Sequence, residues 1–162
     1  MGSDKALIEL DGVALAVRVA RCLQAGGCIS AHLVGRQPEL AQLGLPVLVD
    51  EGPDRHPLRG VAAALSHSRT DLALFAPCDL ISLTPHSVGL LLDHQGPCVA
   101  QGPNGMHPLL AVLPRHYAAQ ALRLAQAGQP AHALVTDLPR VTLPGHELTD
   151  ANRPVDLPSA SE

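Results

Sequence analysis

The chain has 162 residues, 46% hydrophobic and 16% charged, with a net charge of −4 at pH 7 and a pI near 6.1. That length suits one domain with a sizeable core. Nothing in it forms a basic patch for nucleic acid, and no apolar run is long enough to span a membrane. Phe75 and Tyr117 are the only aromatics, so the core has to be built from Leu, Val and Ala.

In chain order, Met1–Lys5 is polar and Ala6–Leu10 follows as a short extended piece, closed by the turn signal Asp11-Gly12. Val13, Leu15, Ala16, Val19, Ala20 and Leu23 recur at helical spacing, and Gly26-Gly27 ends that helix. Cys28–Val34 reads as a strand, Pro38–Leu43 as a short helix, and Pro46–Val49 as a strand that stops at Asp50-Glu51. A loop rich in Gly, Pro and charge spans Glu51–Pro57, and Arg59–Ser66 reads as a helix whose small residues let it lie close to a sheet.

The unbroken apolar run Leu72–Ala76, closed by Pro77, predicts a strand buried on both faces. It releases Cys78 and Asp79 into a loop, the place where ligands gather in open α/β sheets. The plainer reading of Asp79 is a helix cap, but Thr84-Pro85 supplies a better cap and first-turn proline for the helix Pro85–His94.

The second half is less regular. Cys98–Ala100 is a short strand, Gln101–Met106 a Gly/Pro loop, His107–Leu113 a strand, Arg115–Ala127 a helix ended by Gly128. A further helix is expected over Pro130–Asp137 and a last strand over Arg140–Leu143; Asp150–Leu157 reads as a turn feeding a short helix. Alternating strands and helices predict an α/β fold with a mostly parallel sheet built from crossover units. Cys22, Cys28, Cys78 and Cys98 form no C-x-x-C pair and read as buried thiols, so a zinc site is not expected. The nine histidines lack a ligand-like spacing. No secretory signal opens the chain, and a cytoplasmic protein is expected.

Several segments fit one family together: M-G-S-D-K-A-L-I-E-L-D-G, V-L-V-D-E ahead of a P-L-x-G loop, A-P-C-D-L, M-H-P-L-L-A-V-L and A-N-R-P-V-D-L. In these the chain resembles the molybdenum cofactor guanylyltransferase family and its nucleotidyltransferase relatives, over nearly its whole length. The first segment and P-C-D are the specific parts.

The resemblance implies a Rossmann-like nucleotidyltransferase domain over residues 1–157, with helices on both faces of the sheet and a frayed tail at 158–162. It implies use of GTP and Mg²⁺ to attach GMP to molybdopterin with release of pyrophosphate. It further implies small-molecule substrates and no nucleic acid or membrane, a monomer, and transient contact with molybdoenzymes or cofactor-synthesis proteins. Carried over, Lys5 is the nucleotide-contacting lysine, Asp50 the carboxylate on the guanine nucleotide side, and Asp79 the aspartate that holds magnesium. His107 and Asn152 fall in segments facing the pterin. Read from residues alone, Lys5 is a solvated charge, Asp50 opens the Asp50–Pro53 turn equally well, His107 is a strand-entry residue and Asn152 a turn former.

The chain departs from the family in three places. The family begins with a strand and a loop of the type L-A-G-G-x-S-x-R-M-G, and this chain starts at the M-G end, so the first strand and most of the phosphate-wrapping glycines are expected to be missing. A methionine internal to the real protein explains that better than a product that begins here and has lost activity. Loss of a central strand would leave its neighbours with unpaired edges. The family also prefers Gly at His56 and Ala at Arg59, where bulk would either crowd the nucleotide or, at Arg59, add a phosphate contact. The readings to be separated are therefore a guanylyltransferase, a molybdopterin cytidylyltransferase or other small-molecule nucleotidyltransferase, and a non-catalytic relative.

Overall fold

The computed structural model describes residues 5–50 and 52–149. A 3-10 turn, Lys5–Leu7, leads into β1 (Glu9–Leu10), which pairs antiparallel with β2 (Val13–Ala14). Asp11 and Gly12 between them both have positive φ, 53° and 71°, the geometry of a tight hairpin turn whose twist matches its strands. Because Val13 and Ala14 are held in that hairpin, α1 (Leu15–Ala25) starts two residues later than the periodicity predicts. Leu15, Ala16, Val19 and Ala20 form its buried stripe. Its C-cap, Gly26, comes so close to the neighbouring helix that a Cβ there would stand 2.4 Å from Val88 Cβ.

β3 (Leu33–Val34) pairs in parallel with β4 (Val47–Leu48) across the 3-10 helix Pro38–Leu43. Then come α2 (Pro57–His67), β5 (Leu72–Phe75), α3 (Pro85–Asp93), β6 (Cys98–Gly102) and β7 (Gly105–Pro114). The 3-10 turn Arg115–Tyr117, α4 (Ala118–Gln126), α5 (His132–Val135), β8 (Arg140–Thr142) and the 3-10 turn Gly145–Leu148 complete the order.

The main sheet runs β5-β7-β6-β8. β7 is antiparallel to both β5 and β6, and β6 is parallel to β8. Leu110–Leu113 is buried throughout, because helices cover both sides of the sheet. Ala111 and Leu113 meet Leu58, Val61 and Leu65 of α2 and Ala121 and Ala125 of α4. Leu110 and Val112, with Cys98 and Ala100, meet Val88 and Leu91 of α3 and Leu143 and Leu148. A smaller cluster, Ala6, Ala16 and Leu40, packs with Leu33, Val47 and Cys78.

The α/β layering expected from the sequence is the observed one, and β7 makes the sheet mixed. Four local expectations are corrected. Of Cys28–Val34 only Leu33 and Val34 form a strand; they pair on one side alone, and Ile29 is 88% exposed. Gln101–Met106 is not a loop: β6 continues to Gly102, Pro103-Asn104 turn, and Gly105 at φ 123° starts β7. The helix over Pro130–Asp137 shrinks to the four residues of α5, and the helix from Arg115 opens as a 3-10 turn. Asp150–Leu157 and the tail at 158–162 lie outside the described residues.

Hydrogen bonding leaves β3-β4 and β5-β7-β6-β8 as separate sheets. Among the described residues, β3 pairs only with β4 and β5 only with β7, so each keeps one open edge. Between those edges lies a cavity of about 1340 Å³, with Leu33, Gly35 and Leu48 on one wall and Leu72, Leu74 and Ala76 on the other. Ordinary small-molecule pockets are about 300–1,000 Å³. This one is larger because it takes in the gap between two sheets as well as the ends of their strands.

Candidate active site

The site is built where β5 ends. After Phe75 the chain turns tightly: the Leu80 N–H reaches the Pro77 carbonyl at 3.5 Å, Ile81 N–H the Asp79 carbonyl at 2.9 Å, and Leu83 N–H the Leu80 carbonyl at 3.2 Å. Leu80 and Leu83 are buried and pin the loop inward. Asp79, between them and the strand, keeps 13% of its side chain exposed. Lys5 Nζ donates to Asp79 Oδ2 at 2.8 Å across 74 residues of sequence. The lysine is delivered by the 3-10 turn Lys5–Leu7, whose Ala6 is buried in the same cluster that receives Cys78. Thr84 caps α3 by accepting the Ser87 N–H, so Asp79 is not needed as a cap.

Asp50 follows β4, and Arg36 follows β3. Because these strands are parallel, both residues leave the sheet at the same end. Arg36 grips Asp50 with a two-pronged fork, Nε to Oδ1 at 2.6 Å and a terminal nitrogen to Oδ2 at 3.2 Å. The same terminal nitrogen donates to the Asp54 carbonyl at 3.0 Å. The hydrogen bond to Asp50 pushes the Arg36 guanidinium further up in pKa, so it stays charged. Asp50 is therefore more than a turn residue: its carboxylate is oriented by a cation. Arg36, which sequence reasoning did not single out, is the partner of Asp50 and lines the same cavity.

His56 and Arg59 both bond within the chain. The His56 Nδ1 accepts the Leu58 N–H at 3.2 Å and caps α2. Arg59 Nε donates to Asp54 Oδ1 at 2.5 Å, and this bond holds the Asp54 carboxyl below its usual pKa. Arg59 also lies against Gly52, where a Cβ would stand 2.8 Å from its side chain.

Asp50 and Arg36 line the large cavity, as do Ala6 and Cys78, the chain neighbours of Lys5 and Asp79. Lys5 and Asp79 themselves are not among the residues that line it. His107 does not line its wall; it stands half-buried on β7 opposite Ala100. Asn152 lies outside the described residues. Burial pushes the thiols of Cys22, Cys28 and Cys98 up in pKa, which makes them poor nucleophiles at neutral pH. Among the described residues, no group of three or more His, Cys, Asp or Glu could hold a metal, and no helix is long and apolar enough to cross a membrane.

Residues 1–141 match the MobA-like NTP transferase domain. The chain belongs to that family. The domain is 31% identical over 133 residues to a Serratia proteamaculans protein named molybdenum cofactor guanylyltransferase, covering 79% of this chain and 68% of that one. A Haemophilus influenzae protein of the same name is 40% identical over 94 residues, 57% of this chain and 47% of the relative. The chain thus spans under half of one relative and about two thirds of the other. The crystal structure of molybdopterin-guanine dinucleotide biosynthesis protein A from Archaeoglobus fulgidus superposes with a TM-score of 0.74 at 19% identity, over 96% of this chain and 88% of that one. That likeness extends to the α/β fold of nearly the whole chain.

Proposed function

We propose that the chain is a nucleotidyltransferase of molybdenum cofactor biosynthesis that transfers GMP from GTP to molybdopterin. A phosphate oxygen of the acceptor bonds to the α-phosphorus of GTP as the bond from that phosphorus to the bridging oxygen of the β-phosphate breaks, and pyrophosphate leaves. Such a reaction needs no covalent protein intermediate. It needs two anions brought together and the charge on the leaving group neutralised.

The observation that carries the reading is the 2.8 Å pair of Lys5 and Asp79, from segments 74 residues apart, at the carboxyl end of β5. Lys5 is a flexible point charge suited to phosphate. Among the described residues, Asp79 belongs to no group of three or more His, Cys, Asp or Glu that could cage a metal. That donor set fits Mg²⁺ carried in on the nucleotide, which takes one or two carboxylates and fills its shell with water and phosphate oxygens. Held by Asp79, the cation would supply charge neutralisation at the phosphates. Asp50, locked by Arg36, is assigned to the guanine nucleotide side, and His107 and Asn152 to the pterin side. Residues 1–157 act as one unit, a cytoplasmic monomer working on two small molecules, with transient contacts to molybdoenzymes or cofactor-synthesis proteins.

The test is melting in the presence of GTP, CTP or ATP, with and without Mg²⁺, followed by pyrophosphate release with molybdopterin. A ligand at a hundred times its Kd adds about 2.7 kcal/mol, which at this chain length is about 5–11 °C. The expected result is the largest shift with GTP and a requirement for Mg²⁺. A larger shift with CTP makes the protein a cytidylyltransferase. No shift with any nucleotide and no pyrophosphate release refutes catalysis.

A further inference from the structure

Among the described residues only Ser87 and Glu147 are polar or charged and buried, and Glu147 keeps 4% exposure. Glutamate is rarely buried without a partner, because its charge loses its water. The partner here is Thr84. Glu147 Oε2 accepts the Thr84 N–H at 3.0 Å and the Thr84 hydroxyl at 3.0 Å. Thr84 Oγ1 in turn accepts the Ser87 N–H at 3.3 Å. One carboxylate therefore fixes both the backbone and the side chain of the residue where the Asp79 loop becomes α3.

The loop is short and its supports are few. It leaves β5 at Pro77 and ends at Leu83, whose carbonyl accepts the Cys22 thiol at 3.2 Å from α1. Glu147 comes from elsewhere, the 3-10 turn Gly145–Leu148 after β8, 63 residues from Thr84. Its charge reaches Cys22 as well: burial raises that thiol first, and Glu147 raises it further. At the N-terminus of the nine-residue α3 a negative charge is also favoured by the helix dipole.

We propose that Glu147 is a positioning residue for Asp79: by holding Thr84 it sets the far end of the 77–83 loop and so presents the Asp79 carboxylate to Lys5. The functional importance of this rests on the reading of Asp79 given above, but the positioning itself can be tested without turnover. Glu147→Ala removes the one oxygen that accepts both Thr84 donors. Glu147→Gln keeps an oxygen in their place and removes only the charge. Thr84→Val keeps the shape of Thr84 and deletes the hydroxyl, so it loosens the same joint from the other side.

The first measurement is amide exchange at Ile81 and Leu83, whose N–H groups bond within the loop. Exchange there should quicken about tenfold or more in Glu147→Ala and Thr84→Val, with the amides of β6 and β7 unchanged, and return to near the wild-type rate in Glu147→Gln. The second is the coupling between Lys5→Met and Asp79→Asn in a double-mutant cycle, which should vanish in the Glu147→Ala background and persist in the Gln background. If Glu147→Ala does not fold, Thr84→Val gives the answer.

Unchanged exchange and coupling in both loosened variants, or an equal rise in exchange throughout the sheet, overturns the proposal. Mg²⁺-dependent stabilisation by GTP is measured in parallel. If it is absent in every variant while exchange and coupling still separate Ala from Gln, the positioning holds and the nucleotide reading fails.

Discussion

The Lys5–Asp79 pair yields an unequal pair of mutational costs. At 2.8 Å, and with an effective dielectric constant near 20, the gross attraction is about 6 kcal/mol. Most of that is offset. Lys5 keeps 41% of its side chain exposed, so water screens it, and exposed pairs net about 0.2–1 kcal/mol. The two partners are not equally wet, however: Asp79 keeps only 13%. Removing Lys5 leaves a largely covered carboxylate without its cation, whereas removing the Asp79 charge leaves an ammonium that still reaches water.

Lys5→Met should therefore cost more than Asp79→Asn, by roughly 1 kcal/mol, because the stranded charge in the first variant is the more buried one. The cycle should give a coupling of about 1 kcal/mol, falling in 1 M salt where the screening length is about 3 Å. Urea melts at pH 7 of the wild type, both single variants and the double variant measure all of this, and each kcal/mol corresponds to about 2–4 °C in Tm. Costs that add within about 0.3 kcal/mol, or Asp79→Asn as the costlier variant, would refute the reasoning.

Four further outcomes are expected. Arg36→Ala and Asp50→Ala should both narrow the preference for GTP over other nucleotides while leaving the Mg²⁺ requirement intact, as read by nucleotide-dependent melting. Ser87→Ala should be neutral or stabilising by about 1 kcal/mol, since the buried Ser87 hydroxyl has no hydrogen-bond partner among the described residues and alanine suits a helix better. Gly26→Ala should destabilise by about 1–3 kcal/mol in urea melts, because its Cβ would press Val88 and the Pro85 carbonyl and drive α1 from α3. The Asp54 carboxyl has a folded pKa below its usual 3.8, so the stability it contributes is present above that pH and is lost as pH falls through the lowered value. Amide protection in the 52–57 segment, taken relative to the intrinsic exchange rate at each pH, should thus show no step between pH 5 and 8 from this group, and should fall only in acid below about pH 3.8.

What could be read ahead of the structure depended on how local the cause was. The end of β5 was legible because an apolar run followed by proline stops a strand wherever it lies, and Asp79 comes directly after it. Lys5 was legible only through its motif, since a lysine near a chain start carries no signal of the partner 74 residues away. Arg36 went unnoticed because its meeting with Asp50 depends on the β3–β4 register; an arginine just past one strand and an aspartate just past the next parallel one is the pattern that would have found it. Glu147 gives no sign at all, as glutamate is ordinarily a surface residue. The strand expected over Cys28–Val34 was too long because apolar composition presumes neighbours on both sides, and Leu33 and Val34 have one. Gly and Pro at 102–105 suggested a loop, where the Gly102–Gly105 pairing makes a tight hairpin.

The open edge of β5 bears on how the protein behaves when concentrated. The opposite margin of the sheet, β8, is guarded: it has three residues, and Arg140 and Thr142 point to water. Leu72–Phe75 carries no charge, and the backbone groups on its free side are a template for another extended chain. The flanks limit the hazard. Asp71 precedes the run and Pro77 closes it, so the sticky segment is shorter than the roughly six or seven residues that stack into fibrils. Self-association through this edge should therefore be weak, concentration-dependent and undone by dilution.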